Sequence, residues 1–225
     1  MIKALVAVRS GSVRVPNKNI RPFAGKTLLE YKIEQLKHVK GLDGVIVNSD
    51  SPEMLGIAAS LGAETILRDP YYASNSVSMS DVYRNMAENC RCDYILYANV
   101  TNPLTLTESY ENAIERFFDG IGSDAFDSLN SGTLVHEFLF RDNRPINYDL
   151  LHQPRSQELP EIYALNFAIN ILKRETMIEC RNVVGRKPKI FALPEIEAID
   201  IDTELDFFVA EQLFRKIALK HETIL

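Results

Sequence analysis

The chain has 225 residues, of which 46% are hydrophobic and 25% charged, and 25 basic side chains face 31 acidic ones for a net charge of −6. Those proportions belong to an ordinary globular domain and exclude a disordered, collagen-like or coiled-coil chain. The acidic balance argues against a nucleic-acid or anionic-membrane surface, yet leaves room for a local basic pocket around a small anion.

Ile2–Val8 is a short, nearly continuous apolar run, as expected of a strand covered on both faces of a parallel sheet. A polar loop follows, from Arg9 to Asn19. Thr27–Val39 has helical spacing at Leu28, Leu29, Ile33 and Leu36, and Gly44–Asn48 reads as a second buried strand. Ser51, Pro52 and Glu53 make a helix start, with a capping Ser, Pro at the first helical position and an acid in the first turn. That helix should run to about Leu61 and stop at Gly62. Glu64–Leu67 reads as a strand, Ser80–Glu88 as a helix, Asp93–Ala98 as a strand, and Thr107 is expected to cap a helix to about Phe118. Strands alternating with helices at this spacing predict a mostly parallel α/β sheet in a single domain spanning 1–225.

After about Ser123 the pattern changes. Ser128–Phe140 is β-like, Arg141–Pro145 is turn-rich and Asn147–Pro160 is irregular. Residues 125–162 therefore read as a β-rich insert, too small to fold alone, of the kind that packs on another subunit. Ala164–Leu172 has β character, Lys173–Cys180 looks helical, and Lys189–Leu193 is a strand. Thr203–Lys220 is expected to be a helix with Leu205, Phe208, Val209, Leu213 and Ile217 on its apolar stripe.

Two segments carry charge in a pattern that suggests chemistry. The first loop holds Arg9, Gly11, Ser12, Arg14 and Lys18 directly after strand one, at the sheet edge where ligands bind. Gly lets backbone N–H groups approach a phosphate and the cations neutralise it; the alternative is a solvated loop with incidental cations. Neither GxxxxGK[ST] nor GxGxxG is present. The second segment is Asp200-Ile201-Asp202. In extended chain both carboxylates project to one side while Ile201 points inward. Such a pair suits Mg²⁺ with phosphates completing its shell; the alternative is an acidic cluster complementing a helix dipole.

The opening run Ala4–Asn19 resembles the start of the acylneuraminate cytidylyltransferase (CMP-sialic acid synthetase) family, typically A-R-G-G-S-K-x-[IL]-P-x-K-N. Arg9, Gly11, Ser12, Pro16, Lys18 and Asn19 match; Ser10 replaces a Gly and Val13 a Lys, with Arg14 as a displaced cation. The resemblance continues through Pro22–Tyr31, Val47–Glu53, Gly62–Glu64 with Arg68–Pro70, and Ala98–Leu104, a worn "LQPTSPLR". It ends with Arg155–Pro160 together with Asn166–Ala168 as one motif, and with Ile199–Asp206 as the "DIDT..D" signature. Seven weak motifs stand in the right order over residues 4–211.

The resemblance implies a Rossmann-like sheet of the nucleotide-diphospho-sugar transferase type and an insert that dimerises. It implies an enzyme joining CTP to a 2-keto-3-deoxy sugar acid with Mg²⁺, releasing pyrophosphate. Arg9 and Lys18 would hold the triphosphate, with Gly11 and Ser12 lending backbone donors. Asn19 and Arg68 would contact base and ribose, and Asn99, Arg155 and Gln157 the sugar acid. Asp200 and Asp202 would hold the metal. The departures at Ser10, Val13, Asn99–Asn102, Thr105 and Phe167, where the family has Gly, leave two other readings: a non-catalytic nucleotide- or sugar-binding module, or a nucleotidyltransferase for another sugar.

Four His (His38, His136, His152, His221) lack ligand spacing. Cys90 and Cys92 read as packing thiols, Cys180 stands alone, and no disulfide framework is formed, which suggests a reduced, cytoplasmic protein. The opening MIKALVAV is too short to read as a signal peptide or a membrane span.

Overall fold

The computed structural model describes residues 1–74, 76–122 and 125–218. Its centre is a seven-stranded sheet. Four strands, β1 (Ile2–Ala7), β4 (Val45–Ser49), β5 (Glu64–Leu67) and β6 (Tyr94–Tyr97), run parallel in the order β6-β1-β4-β5. On the other side of β6 lie β10 (Ile162–Lys173), β7 (Ser128–Val135) and β11 (Pro188–Ala192), of which β10 runs antiparallel to its neighbours. Two short hairpins, β2 (Pro22–Phe23) with β3 (Lys26–Thr27) and β8 (Phe140–Arg141) with β9 (Arg144–Pro145), stand outside the sheet.

Alternation along the central strands makes two cores. Ala4 and Val6 of β1, Val45 and Val47 of β4 and Leu96 of β6 face one side; Leu5, Ile46, Ile95 and Tyr97 face the other. The first face is covered by α1 (Leu28–His38), α2 (Pro52–Ser60), α5 (Thr107–Ile121) and α7 (Glu204–Ala218), through residues such as Ile33, Met54, Phe117 and Phe214. The second is covered by α4 (Met79–Asn89) and α6 (Arg174–Cys180), through Val82, Met86 and Met177. Each fully buried side chain of this size contributes about 1.5–3 kcal/mol. Cys90 belongs to the second core, and the three cysteines are free thiols. A one-turn helix, α3 (Pro70–Ala73), follows β5.

The helix starts follow local chemistry. Thr27 and Glu30 form a reciprocal capping box at α1, and the Ser51 hydroxyl accepts from the Met54 N–H at α2. At α5 the expectation fails. Leu106, not Thr107, is the cap residue and offers no side-chain acceptor. The carboxylate of Glu197, 91 residues away, accepts from the Leu106 N–H at 3.0 Å and from the Ser109 hydroxyl at 2.6 Å.

The apolar stripe of α7 is also displaced. Phe207, Ala210 and Phe214 are buried, with Leu213 and Ile217 beside them, whereas Leu205, Phe208 and Val209 are exposed. Phe23 sets this phase: its ring packs edge-on to Phe207 at 5.5 Å and to Phe214 at 5.3 Å.

The insert is shorter than its sequence pattern. β7 stops at Val135, opposite Ile162, and belongs to the main sheet. Residues 136–161 project from the β7–β10 end and are held by Asn147, whose Nδ2 donates to the Glu137 carbonyl and whose Oδ1 accepts from the Leu139 N–H. Among the described residues, no helix is long and apolar enough to cross a membrane.

Candidate active site

Parallel strands bring the residues that follow β1, β4, β5 and β6 to one edge of the sheet. Arg9, Asp50, Arg68 and Asn99 all stand there. The loop after β1 is shaped by its own backbone and by β4. Gly11 has φ +74°, a left-handed conformation that costs any other residue strain. Ser10 donates from its N–H to Asp50 Oδ1 at 2.9 Å and from its hydroxyl to Oδ2. Burial raises the Asp50 carboxyl, but these two donors, with its own N–H and the Arg68 charge, hold the group below the ordinary range. The residue that departs from the family's Gly is thus a tether. Asn19, buried, donates from Nδ2 to the Arg9 carbonyl at 3.2 Å, and its own carbonyl accepts from the Leu29 N–H at the head of α1.

The acidic segment lies against this loop. Ile201 is fully buried while Asp200 and Asp202 remain partly open, as the alternation demands. Lys18 Nζ donates to the Ile201 carbonyl and stands 3.8 Å from Asp202; Arg14 pairs with Asp202 at 2.8 Å. Arg14 is therefore a cation of this site. Desolvation lowers the Lys18 ammonium, although Asp200 and Asp202 oppose it. Desolvation raises the Asp200 carboxyl; the Thr101 hydroxyl works against this and Asp202 adds to it.

Arg9, Ser12, Arg14, Lys18 and Asn19 line a cleft of about 250 Å³. Arg9 also opens onto a second cleft of about 280 Å³, with Arg68, Tyr72, Val77, Met86 and Tyr97 on its walls. Arg68 is buried: Nε donates to Asn48 Oδ1 at 2.6 Å and a terminal nitrogen to the Asn48 carbonyl at 3.0 Å. Desolvation lowers its pKa, opposed by Tyr97 and Asp50. Anion site and apolar-walled slot thus share Arg9, an arrangement suited to a phosphorylated ligand with a flat ring.

A hard cation fits the acidic pair. Asp200 Oδ1 is buried and has no hydrogen-bond partner, and an orphaned carboxylate oxygen is a ready ligand. No third His, Cys, Asp or Glu completes a metal cluster among the described residues. The other positions on Mg²⁺ would fall to water and substrate phosphates, as that ion prefers.

Not every expected residue joins this cluster. Asn99 is half-buried just beyond β6, at the same edge. Arg155 and Gln157 are exposed on the insert, around a 3₁₀ turn at Ser156–Glu158. Phe167 sits in a bulge of β10 with φ +55°, which explains why Gly suits that position; its ring packs on the second core. Of the histidines, His38, His136 and His152 are exposed, and His221 lies outside the described residues.

Sequence reading missed the residues beneath the site. Asn102 donates from Nδ2 to the Ile199 carbonyl at 3.2 Å, and the Thr105 hydroxyl donates to the Glu197 carbonyl at 2.9 Å. The Ile201 N–H donates to the Thr101 carbonyl at 2.9 Å. Two of the worn motif positions, Asn102 and Thr105, are therefore fully buried staples between the 101–106 turn and the acidic segment. Lys32, whose ammonium donates to the Asn102 carbonyl at 3.0 Å, was legible in principle, since it lies four residues from both Leu28 and Leu36, inside the apolar stripe of α1.

A family model for cytidylyltransferases matches residues 3–213. The chain is 25% identical to the post-translational flagellin modification protein B of Campylobacter coli, over 96% of this chain and 95% of that one. It is 26% identical to a pseudaminic acid cytidylyltransferase of Campylobacter jejuni, over 97% of each. Among solved structures, CMP:2-keto-3-deoxy-manno-octonic acid synthetase complexed with CTP superposes with a TM-score of 0.67 at 13% identity, covering 96% of this chain and 99% of that one. That likeness shows the fold: a mostly parallel sheet flanked by helices. With the family model spanning nearly the whole sheet and both loops of the site, the chain belongs to the cytidylyltransferase family.

Proposed function

We propose that the chain transfers the cytidylyl group of CTP to a 2-keto-3-deoxy sugar acid of the sialic-acid kind. The observation that carries this reading is the meeting of the first loop with the acidic segment, where Arg14 and Lys18, both lining the cleft, reach Asp202. A hydroxyl oxygen of the sugar acid bonds to the α-phosphorus, the bond from that phosphorus to the β-phosphate oxygen breaks, the hydroxyl proton is released, and pyrophosphate leaves. Positioning and charge stabilisation do most of this work.

Arg9 and Lys18 hold the triphosphate with charge-assisted donors, and the backbone at Gly11 and Ser12 adds N–H groups. Asn19 and Arg68 serve the base and ribose, with Tyr72 and Tyr97 walling the second cleft. Asp200 and Asp202 would hold Mg²⁺, which would supply charge neutralisation on the phosphates. Asn99 borders the acceptor's side of the site.

Arg155 and Gln157, exposed on the insert, serve the acceptor where the insert packs on a second copy near its cleft. Phe140, Ile146, Leu150 and Leu151 leave the insert with uncovered apolar surface, which supports a homodimer. The free thiols suit a reducing cytoplasm.

Calorimetric titration of Mg-CTP tests the pocket. Wild type should bind CTP more tightly than UTP or GTP. Lys18→Ala should weaken CTP binding about tenfold or more, in a salt-sensitive way. Unchanged affinity in Lys18→Ala, or tighter GTP binding by wild type, counts against the reading.

A further inference from the structure

Lys32 is buried to 1% exposure on α1. Its Nζ donates to Gln35 Oε1 at 3.0 Å, the Asn102 carbonyl at 3.0 Å and the Tyr110 hydroxyl at 2.8 Å. All three donors of an ammonium are thereby used. Gln35 Nε2 donates in turn to the Thr105 carbonyl at 2.5 Å. Two carbonyls of the 102–105 turn thus hang on one polar pair inside an otherwise apolar helix face.

The far side of the same turn holds the acidic segment. Asn102 Nδ2 reaches the Ile199 carbonyl, Thr105 reaches the Glu197 carbonyl, and Thr101 receives the Ile201 N–H. Glu197 closes the arrangement by capping α5 through Leu106 and Ser109. The head of α1 is bonded to Asn19 of the first loop. One helix is therefore bonded both to the first loop and to the turn that holds the acidic segment.

A buried ammonium carries a large desolvation cost. An unbranched aliphatic side chain would fill the same volume without it. Packing alone gives no reason for an amine here; fixing the Asn102 carbonyl does.

We propose that Lys32 is a positioning residue: through the Asn102–Thr105 turn it fixes where Asp200 and Asp202 stand. The proposal rests on the reading of those two aspartates as metal ligands only for its catalytic consequence. Its geometric content stands by itself.

Hydrogen exchange read by mass spectrometry on the full chain tests that content in Lys32→Met. We expect exchange in residues 99–106 and 197–203 to quicken about tenfold or more, the worth of a charged hydrogen bond. Exchange in β1 and β6 should be unchanged and urea unfolding should remain cooperative. A folded Lys32→Met that protects both segments like wild type overturns the proposal. Uniformly faster exchange, with β1 and β6 included, also overturns it, because Lys32 would then merely stabilise the fold. Should Lys32→Met fail to fold, Tyr110→Phe removes one acceptor of Lys32, together with the long bond the hydroxyl donates to the Ala168 carbonyl at 3.4 Å, and keeps the ring. The same two segments should loosen by a smaller factor, and no change there overturns the proposal.

Mn²⁺ titration in the presence of CTP, followed by electron paramagnetic resonance, reads the consequence. Affinity should fall in the variant. If wild type itself binds no Mn²⁺, the metal reading fails while the exchange result still decides the role of Lys32.

Discussion

Asp202 is shared by two cations, Arg14 at 2.8 Å and Lys18 at 3.8 Å, and keeps its side chain about half open to solvent. Exposed pairs of this kind contribute little to stability. Asp202→Asn should therefore leave the unfolding free energy within about 1 kcal/mol of wild type. Turnover should fall on the order of 10²-fold, because a hard anionic ligand is lost. Steady-state kinetics beside a urea titration separates the two effects, and near wild-type turnover would remove the support for Asp202 as a ligand. Lys32 behaves in the opposite way. Burial lowers its ammonium from 10.5 to about 7, so between those values the unfolded chain binds more protons than the folded one. Stability should rise with pH through that window, and below it, where both states are charged, Lys32 should add nothing to the pH dependence. The slope attributable to this residue is at most about 1.4 kcal/mol per pH unit. Urea titrations across the window should show a flatter profile in Lys32→Met, and parallel profiles would show that Lys32 does not carry the effect.

At the start of α7, Asp206 Oδ2 accepts from the Asp202 N–H, the Thr203 N–H and the Thr203 hydroxyl, while the Asp206 N–H donates to the Thr203 hydroxyl. The third acid of the signature is thus a reciprocal cap. Asp206→Ala should cost about 1 kcal/mol of stability, measured by urea unfolding; a loss of turnover without that loss of stability would place Asp206 in the chemistry instead. Local signals of this sort were readable. The box at Thr27, the Ser51 cap and the alternation in β1, β4 and β6 all lie within a few residues of what they determine. Arg9 and Arg68 were placed at one edge because both follow strands of a parallel sheet, whereas Lys18, Asp200 and Asp202 were singled out by residue type and by the family resemblance. What lay hidden depends on partners far along the chain. Glu197 replaces a cap at Leu106 with no signal nearby, and Asn102 and Thr105 look like decay until the 197–201 segment is seen against them. The face of α7 was ambiguous because Leu205, Phe207, Phe208 and Val209 offer apolar surface all round, and Phe23 decides among them.

For the whole molecule, the sheet edge carries the Arg9–Asn19 cleft from one chain, while Arg155 and Gln157 stand exposed on the projecting insert. A homodimer that seats the insert on its partner is the arrangement expected from its uncovered Phe140, Ile146, Leu150 and Leu151. Sedimentation at micromolar protein should show the dimer, and Leu151→Asp should shift it toward monomer; a wild-type monomer would contradict this assembly. Which nucleotide and which acceptor react decides the proposed activity. The most direct measurement is pyrophosphate release with Mg²⁺ for each of CTP, UTP, GTP and ATP against a panel of 2-keto-3-deoxy sugar acids. Release with CTP and at least one such acid, abolished when the acid is omitted, is the predicted result. No release with any pair, or faster release with a nucleotide other than CTP, would contradict it.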